Sequence, residues 1–256
     1  MLKTIGLHIG YENKTVQNGL NLEAEKGVFI CLLGTNGCGK STLLRTLAGL
    51  QQPLGGCVLI NDKDIHRLTQ EQRAKLLSVV LTDRIDIDNA TIEEIVSLGR
   101  YPYTSFLGTL TSADKSMDTN AIEQVFLKGR EHERYNALSD GEKQRVVIAK
   151  ALAQDTDVIF LDEPTAHLDV PNRIKTMLLL QRLARENNKI IICSTHDLDI
   201  ALQTADTLWL MLTKQGGIIE GKPKELLQQG KIQQVFADEA YTLVGLDSGI
   251  QIKFAH

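Results

Sequence analysis

No run of apolar residues in this chain approaches the roughly 18 that a membrane-spanning helix needs. The longest, near residues 28–33, 158–161 and 190–193, have the length of buried strands. A basic excess is missing too: 28 Lys and Arg stand against 32 Asp and Glu, a formal charge of −4. Nucleic-acid binders usually show a basic footprint, so beyond a local patch no nucleic-acid partner is expected. Cysteines are few, and Cys31, Cys38, Cys57 and Cys193 lack metal-ligand spacing. The opening MLKTIGLHIGYENK lacks the basic and then apolar stretches of a secretory signal. These features read as a reduced, cytosolic chain. No internal repeat or low-complexity linker occurs.

What is present is an ordinary globular composition. With 43% apolar and 23% charged residues over 256 positions, disorder and collagen-like structure are excluded. The length fits one large domain or two small ones, and buries a sizeable core without disulfides or metal.

Periodicity divides the chain into three parts. Residues 2–9 and 16–22 alternate apolar and polar residues between turn residues such as Gly10 and Asn18–Gly19, which predicts short strands. A continuous apolar run at 28–33 then meets a glycine-rich turn and a helical pattern through Leu43, Leu44, Leu47 and Leu50. Between about Thr91 and Leu152 no strand is evident. Thr91-Ile-Glu-Glu94 is a capping-box pattern. A loop is expected from Tyr101 to Gly108, a helix over 113–127, and another opening at Ser139. Residues 85–150 therefore read as a helical insertion. Beyond them, strands at 158–161, 190–194 and 205–212 alternate with a helix over 174–185. A turn at Gly216–Gly217, helices near 223–229 and 232–237, and strands near 241–244 and 250–254 complete the reading. Such alternation predicts an α/β fold with a largely parallel sheet.

Residues 34–42 read GTNGCGKST, a full match to G-x-x-x-x-G-K-[ST]. Gly34, Gly37 and Gly39 permit a tight turn whose N–H groups converge on phosphate oxygens. The helix beginning near Lys40 adds its positive dipole end. Lys40 is suited to the β- and γ-phosphates, Ser41 to Mg²⁺ and Thr42 to the α-phosphate. Cys38, inside the loop, is either a small filler or a thiol whose alkylation would block nucleotide. A second motif follows the apolar run at 158–161: Asp162 and Glu163 end a strand at the ligand-binding edge of an open α/β sheet. Asp162 is suited to Mg²⁺, and Glu163 to polarising an attacking water as general base.

Between these motifs lies Leu138-Ser139-Asp140-Gly141-Glu142-Lys-Gln-Arg145. Here the chain resembles the nucleotide-binding subunits of ATP-binding-cassette (ABC) transporters, whose signature is LSGGQ followed by a helix. The resemblance spans nearly the whole chain in motif order. It runs from Tyr11 and the phosphate loop, through the insertion and signature, to Asp162-Glu163, Thr165-Ala-His-Leu-Asp169 and Ser194-Thr-His196-Asp197.

The resemblance implies a P-loop NTPase cassette: a mainly parallel core sheet, an N-terminal antiparallel β part and a helical insertion. The core would comprise about 1–84 and 151–256. ATP and Mg²⁺ are implied, with Asn36 counted among the nucleotide-binding loop residues. Tyr11 would stack on adenine, though it can equally fill a turn. Ser139 and Gly141 would contact the γ-phosphate held by a second copy, while Ser139-x-x-Glu142 is also a plain capping box. Asp169 would belong to the loop linking two sites across a homodimer. His196 would hold the attacking water with Glu163.

Two departures stand out. Family members usually carry a Gln at the junction of core and insertion that senses Mg²⁺ and the lytic water. Here the junction reads Ser78-Val-Val-Leu-Thr82-Asp83-Arg84, and no Gln occurs between Gln72 and Gln124. Thr82 or Asp83 would serve as metal ligand in its place, or the segment only hinges the insertion. In the signature, Asp140 and Glu142 replace a Gly and the Gln. Asp140 is expected to turn away from phosphate. The Leu98-Gly-Arg-Tyr-Pro-Tyr103 segment resembles that of importers of iron siderophores, haem and vitamin B12. That implies membrane permease subunits, a substrate-binding protein and a peripheral position on the cytoplasmic face of the membrane. A soluble repair or translation ATPase and a regulatory scaffold for cluster assembly are the alternatives.

Overall fold

The computed structural model describes residues 1–12, 14–82, 87, 89–104, 109–213, 216–236, 241–246 and 249–254, the last two segments as backbone. In chain order the elements are β1 (Leu2–Tyr11), β2 (Lys14–Leu20), β3 (Glu23–Ala24), β4 (Phe29–Leu33), α1 (Lys40–Leu47), β5 (Gly55–Ile60) and β6 (Lys63–Asp64). Next come α2 (Gln70–Ala74), β7 (Leu77–Val80), α3 (Ile92–Ser97), α4 (Ser112–Gln124), α5 (Asp140–Ala153) and β8 (Val158–Asp162). The chain continues with α6 (Val170–Glu186), β9 (Ile190–Ser194), α7 (Leu198–Thr204), β10 (Thr207–Met211), β11 (Ile218–Gly221), α8 (Pro223–Gln228), α9 (Lys231–Phe236), β12 (Tyr241–Leu246) and β13 (Gly249–Phe254).

Two sheets carry the core. The N-terminal sheet is antiparallel, ordered β2-β1-β5-β6 with β3 on β1. The larger sheet is ordered β11-β10-β4-β9-β8-β7 and is parallel except for its β10–β11 pair. Its central strands are buried on both faces, which is why they read as unbroken apolar runs. Phe29, Cys31 and Leu33 of β4 face the helical side, with Ile191 and Cys193 of β9. Ile30 and Leu32, with Phe160 and Ile192, face α1 and the N-terminal sheet. Both cores thus arise from one period-2 pattern.

The parallel order has a functional consequence. The carboxyl ends of β4, β7, β8 and β9 lie at one edge, bringing residues 34–39, Thr82, Asp162 and Ser194 to that edge.

Helices α3 to α5 pack together between β7 and β8. The capping box expected at Thr91 is formed: Thr91 Oγ1 accepts from Glu94 N at 3.2 Å, and Glu94 Oε2 accepts from Thr91 N at 2.7 Å. The loop expected from Tyr101 begins instead inside a 3₁₀ stretch, Leu98–Tyr103, and residues 105–108 lie outside the described set. Arg100 is buried there. It donates to Asp114 Oδ1 at 2.9 Å and Ala153 O at 2.7 Å, and its guanidinium lies 4.2 Å from the Tyr103 ring centre. Packing accounts for Gly99 and Arg100 of this importer-like segment, while Leu98 and Tyr101 are exposed. The strand expected over 205–212 is shorter, Thr207–Met211, with Ala205 serving as the C-cap of α7 before it.

Candidate functional site

The phosphate loop grows out of the buried end of β4 and passes into α1. Gly39 has φ +105°, and a Cβ there would lie 2.3 Å from Val16 Cγ1, so only glycine fits. Lys40 is 6% exposed, and its Nζ donates to Gly34 O at 3.0 Å and Thr35 O at 3.2 Å. The ammonium is therefore held beneath the loop in a position fixed by the loop's own carbonyls. Beside it opens a cleft of about 370 Å³ lined by Tyr11, Asn36, Gly37, Gly39, Lys40, Ser41, Thr42, Glu163 and His196. Tyr11 is 53% exposed at the end of β1, and its hydroxyl accepts from Thr42 Oγ1 at 3.2 Å. Cys38 is buried, and burial pushes its thiol up, which favours the role of loop filler.

Asp162, at the end of β8, gathers two hydroxyls. Its Oδ1 accepts from Ser194 Oγ at 2.7 Å and from Ser41 Oγ at 3.2 Å. A carboxylate and a serine hydroxyl side by side form the hard oxygen set that Mg²⁺ prefers. Among the described residues no group of three His, Cys, Asp or Glu forms an all-protein metal cage. A Mg²⁺ held by Ser41 and Asp162 would draw its other ligands from phosphate and water.

Glu163 follows with φ +49°, unusual for a residue with a side chain. Its N–H donates to Ser194 Oγ at 2.9 Å, and His196 Nε2–H donates to its Oε1 at 2.5 Å. These bonds over-determine the turn and hold the carboxylate at the cleft. Ser194 thus joins Asp162 to Glu163. The reading of the sequence placed it in a motif but gave it no role; its signal was a polar residue ending an apolar strand. In a second group Thr165 and Asp197 also stood in motifs without a role, and Arg173 was missed altogether. Asp197 accepts from Thr165 Oγ1 at 3.2 Å and Arg173 Nη1 at 2.9 Å, and Arg173 Nε donates to Leu168 O at 2.7 Å. This ties the segment after Glu163 to the His196 turn. Asp169 caps α6 by accepting from Asn172 N at 3.0 Å.

Thr82 Oγ1 donates to Asp162 O at 3.0 Å, while Asp83 lies outside the described residues. The Thr82 hydroxyl therefore steadies the backbone of the metal-suited aspartate. Such a bond contributes about 1 kcal/mol, roughly fivefold. Thr82→Ala is expected to raise the Mg²⁺ concentration for half-maximal ATPase by about that factor. An unchanged Mg²⁺ titration would remove Thr82 from the metal side of the site.

The signature does not join this cleft. Ser139 caps α5, and neither Ser139 nor Gly141 lines the pocket around its own phosphate loop. A Cβ on Gly141 would come within 2.9 Å of Asn172, so α6 packs close against the turn. Asp140 is exposed and lines a neighbouring groove that includes Thr82 and shares Glu163 with the cleft.

Comparison with known proteins identifies the family. The sequence profile described as ABC transporter matches residues 17–166. The achromobactin transport ATP-binding protein of Dickeya dadantii is 38% identical over 90% of this chain and 85% of its own length. The iron(3+)-hydroxamate import ATP-binding protein of Bacillus subtilis is 35% identical over 93% of this chain and 88% of its own. A dimeric bacterial ABC transporter cassette superposes with a TM-score of 0.71 at 26% identity, covering 87% of this chain and 99% of that one. A profile match over more than half the sequence, together with relatives matched along most of their length, places the chain in the ABC transporter ATP-binding family, as an ABC ATPase that couples ATP hydrolysis to transport.

Proposed function

We propose that this chain is the ATP-hydrolysing subunit of an importer and works as a homodimer with ATP sandwiched between copies. The observation that carries the reading is the separation of the signature from its own phosphate loop. Ser139 and Gly141 then complete the site of the second copy. The relatives' names support the transport part: one imports iron(3+)-hydroxamate and another transports achromobactin. The cargo proposed is an iron chelate of siderophore type; haem and cobalamin are the other cargoes the Leu98–Tyr103 resemblance allows. Membrane permease subunits would hold the ATPase on the cytoplasmic face, with a substrate-binding protein delivering cargo to them. Among the described residues no helix is long and apolar enough to cross a membrane, so the path for cargo would be built by those partners.

The chemistry follows from the cleft. Lys40 and the loop amides offset charge on the β- and γ-phosphates. Mg²⁺, held by Ser41 and Asp162, would supply further charge neutralisation at the phosphates. Glu163 Oε2 takes a proton from water as the water oxygen attacks the γ-phosphorus. The bond from phosphorus to the bridging oxygen breaks, and ADP and phosphate leave. His196, bonded to Oε1, orients the Glu163 carboxylate toward the water.

The test is ATPase rate against protein concentration in detergent-free solution, alongside co-purification from membranes. Specific activity per chain is expected to rise steeply with concentration, and a polytopic membrane protein is expected to co-purify. Full activity in dilute monomer would sink the sandwich. Absence of any membrane partner would favour the soluble or scaffold alternatives.

A further inference from the structure

The signature of this chain carries an acid, Glu142, where the family has an amide. Glu142 Oε2 accepts from Ser139 N at 2.9 Å and from Ser139 Oγ at 2.7 Å. In return Glu142 N–H donates to Ser139 Oγ at 3.4 Å. The capping box therefore sets a full negative charge beside the serine suited to meet a triphosphate. Asp140 adds a second acid to the first turn of α5. Left alone, this turn would repel the ligand it is meant to bind.

Arg130 offsets part of that charge, sharing its guanidinium between Glu142 and Glu133. Its Nε and Nη2 donate to Glu133 Oε1 at 2.8 Å and Oε2 at 2.7 Å, a two-pronged pairing that fixes the guanidinium plane. The remaining Nη1 edge donates to Glu142 Oε1. The pairing with Arg130 and the bonds from Ser139 hold the Glu142 carboxyl down at about 2. Side-chain exposures of 33% for Arg130 and 22% for Glu142 leave the pair partly shielded from solvent. Lysine could not reproduce this, since an ammonium lacks the planar fork that serves two carboxylates at once.

We propose that Arg130 is a positioning residue of the signature, pinning Glu142 and offsetting part of its charge so that the Ser139–Gly141 turn can receive the γ-phosphate of ATP held by a second copy. The inference rests on the sandwich reading above. A glutamine in place of Glu142 would make no such demand on Arg130, and that difference supplies the test.

Full-length chain carrying Glu163→Gln is compared with the same chain bearing Arg130→Ala, Glu142→Gln or both. Light scattering follows dimer formation across ATP concentrations, a fluorescent ATP analogue reports binding to monomer, and thermal melts check folding. Arg130→Ala is expected to raise the ATP concentration for half-dimerisation about tenfold, with monomer binding unchanged, and the loss should shrink as salt rises. Made on Glu142→Gln, the same change should move the midpoint less than about threefold. Equal losses on both backgrounds, or no loss from Arg130→Ala, overturn the proposal. Should Arg130→Ala melt early, Arg130→Lys completes the same cycle. If the Glu163→Gln parent forms no ATP-dependent dimer, the sandwich reading itself fails and takes this inference with it.

Discussion

Glu163→Gln is expected to lower ATP turnover by about 10²- to 10⁴-fold, the range a positioned general base contributes. Nucleotide binding should survive, because the loop, Lys40 and Asp162 are untouched. The substitution is nearly isosteric, so the bond from the Glu163 N–H to Ser194 Oγ persists. What changes is the pairing at 2.5 Å with His196 Nε2 and the capacity to take a proton. An amide oxygen accepts a hydrogen bond but does not become a carboxylic acid. ATP should then accumulate in a stable dimer, read as a shift in elution volume on size exclusion with ATP present. Turnover within tenfold of the parent would remove Glu163 from the base role and point to His196 or water itself. His196→Ala provides the internal comparison. It keeps the carboxylate but frees it from its orienting partner, so its loss should be smaller than that of Glu163→Gln.

Lys40→Ala is expected to weaken ATP binding by about 100-fold. A charge pair at 4 Å is worth about 4 kcal/mol at an effective dielectric of 20. Part of that is offset by the water each group gives up, leaving roughly 2–3 kcal/mol, or about two decades in affinity. The loop itself should remain formed. Its shape is set by backbone conformation, with Gly37 at φ +77° and Gly39 at φ +105°, rather than by the lysine. The lysine's two bonds to Gly34 O and Thr35 O instead fix where its charge sits. Lys40→Arg should not rescue, since the site is buried around an ammonium and the planar fork is larger and differently directed. Calorimetric titration with MgATP measures this directly, and a melting curve confirms the fold. Affinity within threefold of the parent would show that loop amides alone hold the phosphates.

The parts of the site that were legible were those whose chemistry is local. Residues 34–42 carry a cradle built from consecutive backbone, so the string GTNGCGKST announces it. Asp162 and Glu163 were legible because a buried strand and a pair of acids are adjacent in sequence. The capping boxes at Thr91 and Ser139 were legible for the same reason, each closing within three residues.

The remainder depends on which strands become neighbours. Thr82 meets Asp162 O because β7 pairs with β8, and Ser194 meets Asp162 because β8 pairs with β9. Nothing in the local pattern at Thr82 distinguishes a metal ligand from a residue that steadies one. Arg100 was readable as part of an importer-like segment, yet its guanidinium is spent on Asp114 and Ala153 O inside the helical part. Arg173 and Arg130 carried no signal, because an arginine on a polar surface looks the same in sequence whether or not a carboxylate from another segment lies within reach.

By itself, then, the sequence determined the nucleotide loop, the acidic strand end, the alternation of elements and the family they spell. These follow from backbone conformation and short-range periodicity. Only the tertiary structure decided that Ser194 bridges Asp162 to Glu163, that Arg130 pairs with Glu142, and that the signature stands apart from its own phosphate loop. Those relations are set by strand order and helix packing, which fix distances between residues far apart in the chain.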